Sequence, residues 1–235
     1  MIRFVPNMSR RDSSLELMED PNLPPGDLVE ALRQIRTLNH AFGGVHQSVR
    51  AIAALTERAD QFTLLDVGCG DGEIPRRTHQ WAKSKGITCS GLGVDLTSES
   101  IELARALTSP DAPLTFSQAD LFDLGDEDTF DIVHTSLMLH HLNDEEAERA
   151  LRKMLRLAKS AVVVNDLHRA WLCWAGAAIG ARALTSSYVV QADAPHSVLR
   201  AFKRRELEAL AQASGAREWS ITWTFPFRWI MVLHR

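Results

Sequence analysis

Cysteine is scarce in this chain of 235 residues, which has only Cys69, Cys89 and Cys173 and no C-x-x-C pair. Three dispersed thiols exclude a disulfide framework and give no support to a zinc site, so we expect no bound metal and a reducing, cytoplasmic location. A chain of this length can bury a sizeable core without such crosslinks. At about 150 residues per domain, it makes one large domain or one and a half.

The chain also lacks a basic excess. Its 26 lysines and arginines face 30 aspartates and glutamates, which gives a net charge of −4. Proteins that bind a phosphate backbone usually carry a surplus of positive charge. The charge balance therefore disfavours a nucleic-acid partner.

Long apolar runs are missing as well. The longest, residues 170–181, contains two glycines and is bounded by arginines. A membrane-spanning helix needs about 20 apolar residues, so we expect no transmembrane segment. The first residues show neither the apolar stretch nor the cleavage site of a secretory signal. The composition likewise excludes a collagenous or disordered chain.

What the sequence does contain is a regular alternation of helical patterns and short apolar runs. Helical periodicity covers residues 28–38 and 45–55 before the first strand, which predicts a helical N-terminal cap over residues 1–60. The predicted strands are residues 62–67, 88–94, 114–117, 130–135, 161–165, 218–224 and 228–233. The helices predicted among them are residues 73–85, 97–107, 144–158 and 202–213, with Asp144 as the N-cap of the third.

This order predicts an α/β fold in which a doubly wound, seven-stranded, mostly parallel sheet carries helices on both faces. The last two strands are separated only by a Phe-Pro-Phe turn, so they must form an antiparallel hairpin, with an antiparallel strand at the sheet edge. We therefore predict one domain over residues 61–235. It is interrupted by a lid insertion at about residues 167–198.

Acidic residues and glycines gather at the predicted carboxyl edge of the sheet. The first strand runs into LLDVGCGDG at residues 64–72, and Asp95 and Asp120 follow the next two strands. Glycines let the backbone turn sharply and approach a ligand, and a carboxylate there can accept both hydroxyls of a ribose. Glu73 stands where a dinucleotide-binding loop has its third glycine, which disfavours a nicotinamide dehydrogenase. Taken singly, Asp66 could instead be a capping or salt-bridging acid.

These motifs, together with QADLFDL after the third strand and FDIVHTSLMLHHL through the fourth, resemble the class I S-adenosylmethionine-dependent methyltransferases, whose fold is Rossmann-like. The resemblance implies S-adenosylmethionine as the cofactor, and the cationic sulfonium and ammonium of that ligand suit carboxylates rather than a phosphate nest. By the same resemblance, the cofactor-binding residues are Asp66, Gly68, Cys69, Gly70, Asp95, Leu96, Asp120, Leu121 and Thr135.

The sequence says less about the molecule that accepts the methyl group than about the cofactor. Methyltransferases acting on amino groups of nucleobases carry an Asn/Asp-Pro-Pro-aromatic string after the fourth strand, whereas this chain has TSLMLHHL at residues 135–142. The segments ELMED at residues 16–20, the double glycine at 43–44, and residues 187–190 and 197–202 are similar to bacterial methyltransferases encoded beside type III polyketide synthases, with ubiquinone- and menaquinone-type enzymes as wider relatives. That similarity implies O-methylation of an aromatic, apolar phenol or quinol. C-methylation of a quinone precursor and a catalytically degenerate regulatory module remain alternatives.

A phenol has a pKa near 10, so a base near neutrality would help to ionise it. His168, His141 and His196 are the candidates. His168 and His141 are preferred because each follows a strand at the ligand edge, whereas His196 is expected in an irregular stretch before the last helix. The alternatives are that these histidines only cap or pack, or that the substrate is already ionised. Arg10 and Arg11 could reach the cofactor carboxylate, but a solvated pair is the preferred interpretation.

The lid insertion is rich in large apolar side chains. They can line a pocket for a ring or alkyl chain, or pack a helix on the domain, and shallow membrane contact is a further alternative. These residues are Trp171, Leu172, Trp174, Ile179 and Leu184.

Overall fold

The computed structural model describes residues 6–235 and contains one sheet of seven strands in the order β3-β2-β1-β4-β5-β7-β6. The strands are β1 (Gln61–Val67), β2 (Thr88–Asp95), β3 (Leu114–Gln118), β4 (Phe130–Ser136), β5 (Ala158–Leu167), β6 (Glu218–Thr224) and β7 (Arg228–His234). The first five are parallel, and β7 runs antiparallel to both β5 and β6. This confirms the predicted α/β fold and the antiparallel last strand.

The place of that last strand differs from the prediction. β7 lies inside the sheet between β5 and β6, so β6 and not the antiparallel β7 forms the edge. Residues of β7 are mostly buried, whereas β6 buries only Ile221. The more apolar strand of the hairpin takes the inner place because it loses more water-exposed apolar surface there, and the polar strand faces solvent.

Eight helices accompany the strands in the described part of the chain, together with three short 3-10 turns. The helices are α1 (Pro25–Ala41), α2 (Gly44–Thr56), α3 (Glu73–Ser84), α4 (Ser98–Leu107), α5 (Asp144–Leu157), α6 (Trp171–Leu184), α7 (Tyr188–Arg200) and α8 (Arg204–Ser214). Within residues 6–235, none of them is both long and apolar enough to cross a bilayer.

Alternating side chains of the central strands pack into two separate layers. In β5, Val162 and Val164 belong to the cluster that includes α5 and α8, while Ala161 and Val163 belong to the cluster that includes α2 and α3. This is the period-2 alternation of a strand covered on both faces. Packing on both faces holds the central strands in place, so the loops that follow their carboxyl ends lie at one edge of the sheet.

The helices outside the central sheet pack against one another. Ala31 and Leu38 of α1 share a cluster with Ala181 of α6 and with Val189 and Val190 of α7. The N-terminal segment and the insertion thus contribute to one helical layer. How they divide into domains, as residues 1–60 and 61–235, stays a prediction.

Three local predictions are corrected by the structure. The N-cap of α5 is Asn143, whose side chain accepts from the Glu146 N–H in a capping box, so Asp144 is the first helical residue. His196, expected in an irregular stretch, lies within α7, which continues through Pro195. Helix α8 begins at Arg204 rather than at residue 202, because residue 202 pairs with His168 in an isolated bridge.

Candidate active site

A cavity of about 400 Å³ lies at the carboxyl edge of β1, β2 and β4. The glycine loop after β1 forms one end of it, and helices α1, α6 and α7 close over it. This is the edge at which open α/β sheets bind ligands. The position follows from the parallel order of the strands, because their carboxyl ends meet there.

The glycine loop adopts a backbone that other residues rarely take. Gly68, Gly70 and Gly72 have φ values of 68°, 53° and 74°. A Cβ at Gly72 would lie 2.5 Å from the Phe116 ring, whereas a Cβ at Gly70 would meet no atom within 4 Å. Gly72 is therefore required for packing, and Gly70 leaves open space on the ligand side of the loop.

Asp95 ends β2 and lines the cavity beside this loop. Its Oδ2 accepts a hydrogen bond of 2.9 Å from the Gly70 N–H, and its Oδ1 accepts one of 3.0 Å from the Thr97 N–H. The Thr97 hydroxyl lies 3.0 Å from Oδ1 and 2.6 Å from Ser100 Oγ. When that hydroxyl donates to Ser100, each carboxylate oxygen keeps one of its two lone pairs for a ligand hydroxyl. The loop and the carboxylate are held together before any ligand binds.

Asp66 lines the same end of the cavity and is tied to a buried network that the sequence analysis missed. The β1–β4 register sets Asp66 beside His134, whose Nδ1 donates to Asp66 Oδ1 over 2.6 Å. His134 Nε2 lies 2.9 Å from Ser48 Oγ, and Asn165 Nδ2 donates to the same hydroxyl over 2.8 Å. This network fixes Asp66 and anchors α2 to the sheet. The contact between Asp66 and His134 follows from the register of β1 and β4, which the sequence pattern does not specify.

The residues after β4 bring a second polar cluster to the cavity wall. His140 is buried, and its Nδ1 donates to Asp166 Oδ1 over 2.6 Å, while its Nε2 lies 3.8 Å from Glu16 Oε1. His141 Nδ1 donates to Glu19 Oε1 over 2.8 Å. Glu16, His140 and His141 all line the cavity. The sequence placed Glu16 and Glu19 in a motif without assigning them a role, because nothing in the pattern shows that the N-terminal segment folds over the sheet edge.

Charge and burial set the protonation of this cluster. Burial alone would raise the pKa of Asp166, but the charge and hydrogen bond of His140 outweigh it and hold that pKa below its ordinary value. Burial raises the pKa of Glu16 despite the nearby His141. For Glu19, burial acts in the raising direction, yet the hydrogen bonds of His141 and Arg200 prevail and lower the pKa to about 2.

The backbone is strained at two points of the cavity wall. Leu137 and Phe227 have φ values of 55° and 50°, in the left-handed region that non-glycine residues rarely occupy. Both residues line the cavity. Such conformations cost about 1–3 kcal/mol each and cluster at binding sites.

The structure brings together most of the predicted glycine-loop residues and separates others from the cavity. Asp66, Gly68, Cys69, Gly70 and Asp95 line it. Burial raises the pKa of the Cys69 thiol, with the nearby carboxylates adding to the effect, so the thiol is not a nucleophile at neutral pH.

Four residues named by the resemblance do not line the cavity. Thr135 is fully buried and donates to the Val67 carbonyl, and Leu121 belongs to the sheet core. Asp120 caps a short 3-10 turn, and Leu96 is 66% exposed. Their assignment as cofactor contacts stays a prediction.

Of the predicted bases, only His141 lines the cavity. His168 packs its ring 4.8 Å from that of Trp229, and burial together with the charges of Lys203 and Arg169 lowers its pKa. His196 Nε2 lies 3.0 Å from a serine hydroxyl in the N-terminal segment.

The interpretation of the arginine pair as solvated is wrong for Arg11. Its guanidinium donates to the Leu142 carbonyl over 2.7 Å and to Asp144 over 2.6 Å, and it stacks 3.8 Å from the Phe202 ring centroid. Arg10 is exposed. Arg11 therefore ties the N-terminal segment to the loop after β4, and it does not line the cavity.

Comparison with known proteins identifies the central segment. Residues 64–161 match the family model of a methyltransferase domain. A plantazolicin methyltransferase bound to S-adenosylhomocysteine superposes with a TM-score of 0.67 at 12% identity, over 91% of each chain. Magnesium protoporphyrin IX methyltransferase from Synechocystis PCC 6803 superposes with a TM-score of 0.60 at 19% identity, over 86% of each chain.

A third structure, from Nostoc punctiforme PCC 73102, carries the provisional name of an O-methyltransferase. It superposes with a TM-score of 0.63 at 14% identity, over 95% of this chain and 63% of that one. No curated protein matches the sequence. The structural likenesses are distant, and by themselves they establish only the shared fold.

The matched segment contains the glycine loop, Asp66 and Asp95, and these residues fit the cofactor of that fold. Gly70 leaves room for close approach, and the two carboxylates suit a cationic ligand that carries a ribose. The domain match shows that residues 64–161 form a methyltransferase domain, and the chain shares the fold of methyltransferases that bind S-adenosylmethionine or S-adenosylhomocysteine, which supports S-adenosylmethionine as the cofactor.

Proposed function

We propose that the protein transfers the methyl group of S-adenosylmethionine to the oxygen of a small phenol or quinol. The observation that carries this proposal is that one cavity joins Asp95 and the glycine loop to His141 and an apolar wall. A cofactor and an acceptor can therefore lie side by side without solvent between them. The magnesium protoporphyrin and plantazolicin enzymes are named for small-molecule or peptide acceptors, and these names support a small acceptor without indicating a phenol.

The cofactor end has partners for each polar part of the ligand. Asp95 would accept the ribose hydroxyls, and Asp66 lies where a positive group is favoured. Arg36 of α1 also lines this end, with its guanidinium 3.4 Å from Asp71, and we assign it to the methionine carboxylate in place of the arginine pair near the N-terminus. Its planar fork suits a carboxylate.

The acceptor end is largely apolar. Leu32, Ile35 and Phe42 approach from the N-terminal helices, and Phe225 and Phe227 approach from the β6–β7 turn. Such a wall suits an aromatic ring or a short alkyl chain. All five of these side chains come from outside the matched segment, and Cys173 and Ala177 of the insertion also line the cavity. We therefore propose that residues 1–60 and the insertion at 167–198, together with the β6–β7 turn, determine which acceptor binds.

His141 is the proposed base. Glu19 holds its Nδ1–H, which leaves Nε2 with the lone pair that can accept the acceptor's proton. S-adenosylmethionine, when bound, supplies the methyl group on a sulfonium leaving group. The role of the protein is to position the acceptor oxygen opposite the sulfur and to remove the proton, and positioning alone contributes several kcal/mol.

Incubation with a panel of phenols, quinols and resorcinols and methyl-labelled cofactor tests this proposal. We expect label in at least one aromatic product and a mass-spectrometric fragmentation pattern that places the methyl group on oxygen. A methyl group on a ring carbon would show C-methylation instead. Tight cofactor binding with no transfer to any acceptor in the panel would favour a regulatory module.

A further inference from the structure

We propose that Glu16, His140 and His141, which lie together in the wall of the cavity, form a binding site for a divalent transition-metal ion. One ligand atom from each residue lies within 4.8 Å of the other two. An ion about 2.1 Å from each ligand would bring them to about 3.4 Å apart, which requires side-chain movements of about 1 Å. All three residues line the cavity, so the ion would be reachable from it.

The orientation of the two imidazoles carries the proposal. In both rings Nδ1 donates to a carboxylate, Asp166 Oδ1 over 2.6 Å for His140 and Glu19 Oε1 over 2.8 Å for His141. This fixes the tautomer in which Nε2 holds the free lone pair. A carboxylate behind each histidine is the arrangement that orients imidazole ligands in metal sites. Glu16 then supplies the third, negatively charged ligand, 3.8 Å from His140 Nε2.

Carboxylates outnumber cations around this site, and this excess of negative charge favours the binding of a cation. Glu16 and Asp193 line the cavity here, and Glu19 and Asp166 stand behind the histidines. Two arginines face this group. Arg200 has its Nη2 3.1 Å from Glu19 Oε1 and its Nε 3.9 Å from Glu16 Oε1, and the buried Arg228, which also lines the cavity, interacts electrostatically with Asp166. With neutral imidazoles the four carboxylates still outnumber the two guanidinium groups. A divalent ion would offset this surplus in a site where Glu16 is only 3% exposed.

The ligand set indicates the kind of metal. Two imidazole nitrogens and one carboxylate oxygen suit zinc, iron(II) or cobalt(II), whereas magnesium and calcium prefer oxygen ligands alone. Three protein ligands leave at least one position open towards the cavity. If the proposed function holds, an acceptor hydroxyl would occupy that position, and the ion would favour its ionised form. The hydroxyl proton would then pass to solvent, and His141, which serves as the base in the metal-free protein, would serve as a ligand while the ion is bound.

Titration of the chelator-treated protein with Co²⁺ chloride, followed by visible absorbance, tests the site directly. We expect one Co²⁺ per chain, with visible bands of a nitrogen-coordinated ion, and displacement by Zn²⁺. Glu16→Gln should weaken Co²⁺ binding at least tenfold, and Glu19→Gln should weaken it by about 10- to 100-fold through loss of the support behind His141. His46→Ala, a change at an exposed histidine, is the matched control and should keep full binding.

Thermal unfolding of each variant shows whether it folds, and calorimetric titration of the metal-free protein with S-adenosylmethionine separates this inference from the proposed function. Absence of saturable Co²⁺ binding in protein that binds the cofactor would overturn the metal site and leave the methyltransferase account intact. Equal binding by wild type and Glu16→Gln would also overturn it. Stoichiometric Co²⁺ binding lost in Glu16→Gln, in protein that methylates no phenol or quinol, would support the site and count against the proposed acceptor.

Discussion

At the scale of single residues, the histidines differ sharply in environment although they look alike in the sequence. His141 lines the cavity with Glu19 behind it, whereas His168 packs against Trp229 beside the bridge to residue 202. Both follow strands at the same edge of the sheet. What separates them is the N-terminal segment, which brings Glu19 to His141.

Replacing His141 by Ala should lower kcat on a phenol by about 100-fold, because general bases typically contribute 10²–10⁴-fold. Cofactor affinity should be unchanged, since the hydrogen-bond partner of His141 is Glu19 and not a residue of the glycine loop. Initial rates with labelled cofactor, paired with calorimetry, measure both quantities, and His46→Ala serves as the control. Full activity of His141→Ala would contradict the role given to His141. If His168→Ala then lost about 100-fold in kcat, the role of base would pass to His168.

At the scale of elements, helix α5 shows how a local signal sets a boundary. The Asn143 side chain accepts from the Glu146 N–H over 2.9 Å, and Glu146 returns the contact to the Asn143 N–H over the same distance. These bonds satisfy two backbone donors that the first turn would otherwise leave free.

Asn143→Ala should therefore lower the free energy of unfolding by about 1 kcal/mol, the usual cost of losing an N-cap. Chemical denaturation, with methyl transfer as a check on the intact site, measures the loss. Asp144→Ala is a comparison for the neighbouring residue that the sequence favoured, and it should lose less. A larger loss for Asp144→Ala would contradict the assignment of the cap.

The strands and most helices could be predicted because each carries its own signal, namely apolar runs of strand length and helical spacing between them. The loop glycines and Asp95 could be predicted for the same reason, since local spacing placed them at strand ends. The pairing of Asp66 with His134 depends on strand register, and the path of α7 through Pro195 depends on tertiary packing. Neither is encoded in a short window.

The contact of the N-terminal segment with the sheet edge lies beyond sequence reasoning for another reason. Glu16 and Glu19 sit in a polar stretch that reads as solvent-exposed, yet Glu16 is buried against His140 and Arg200. Burial of such a carboxylate is favourable only because charged partners from distant parts of the chain surround it. Those partners cannot be known before the fold.

At the scale of the whole molecule, this contact should make stability depend on acid pH. The folded pKa of Glu19 is about 2, against an ordinary value of 4.5. In this range the folded state therefore binds fewer protons than the unfolded state. The contribution of ionised Glu19 to the free energy of unfolding is complete above pH 4.5 and is lost as the pH falls towards 2. We expect a decline in the free energy of unfolding across that interval.

The variant Glu19→Gln should show a shallower decline over the same interval, because it removes the group that takes up the proton. Exposed Glu57 provides the matched control, and Glu57→Gln should follow the wild type. Denaturant unfolding at a series of pH values measures the slopes. Identical slopes for Glu19→Gln and wild type would contradict the role given to the Glu19 contacts.

The sheet, the helical layer and the polar wall together enclose one cavity, and the central claim is that its glycine-loop end binds S-adenosylmethionine through Asp95. Calorimetric titration with that cofactor tests the claim most directly. The account predicts one site per chain and a loss of about tenfold or more in affinity for Asp95→Ala, since a hydrogen bond to a charged group contributes about 1.5–3 kcal/mol. Exposed Asp128 gives the control, and Asp128→Ala should bind as the wild type does. Absence of binding by the wild type, or equal affinity in Asp95→Ala, would contradict the account.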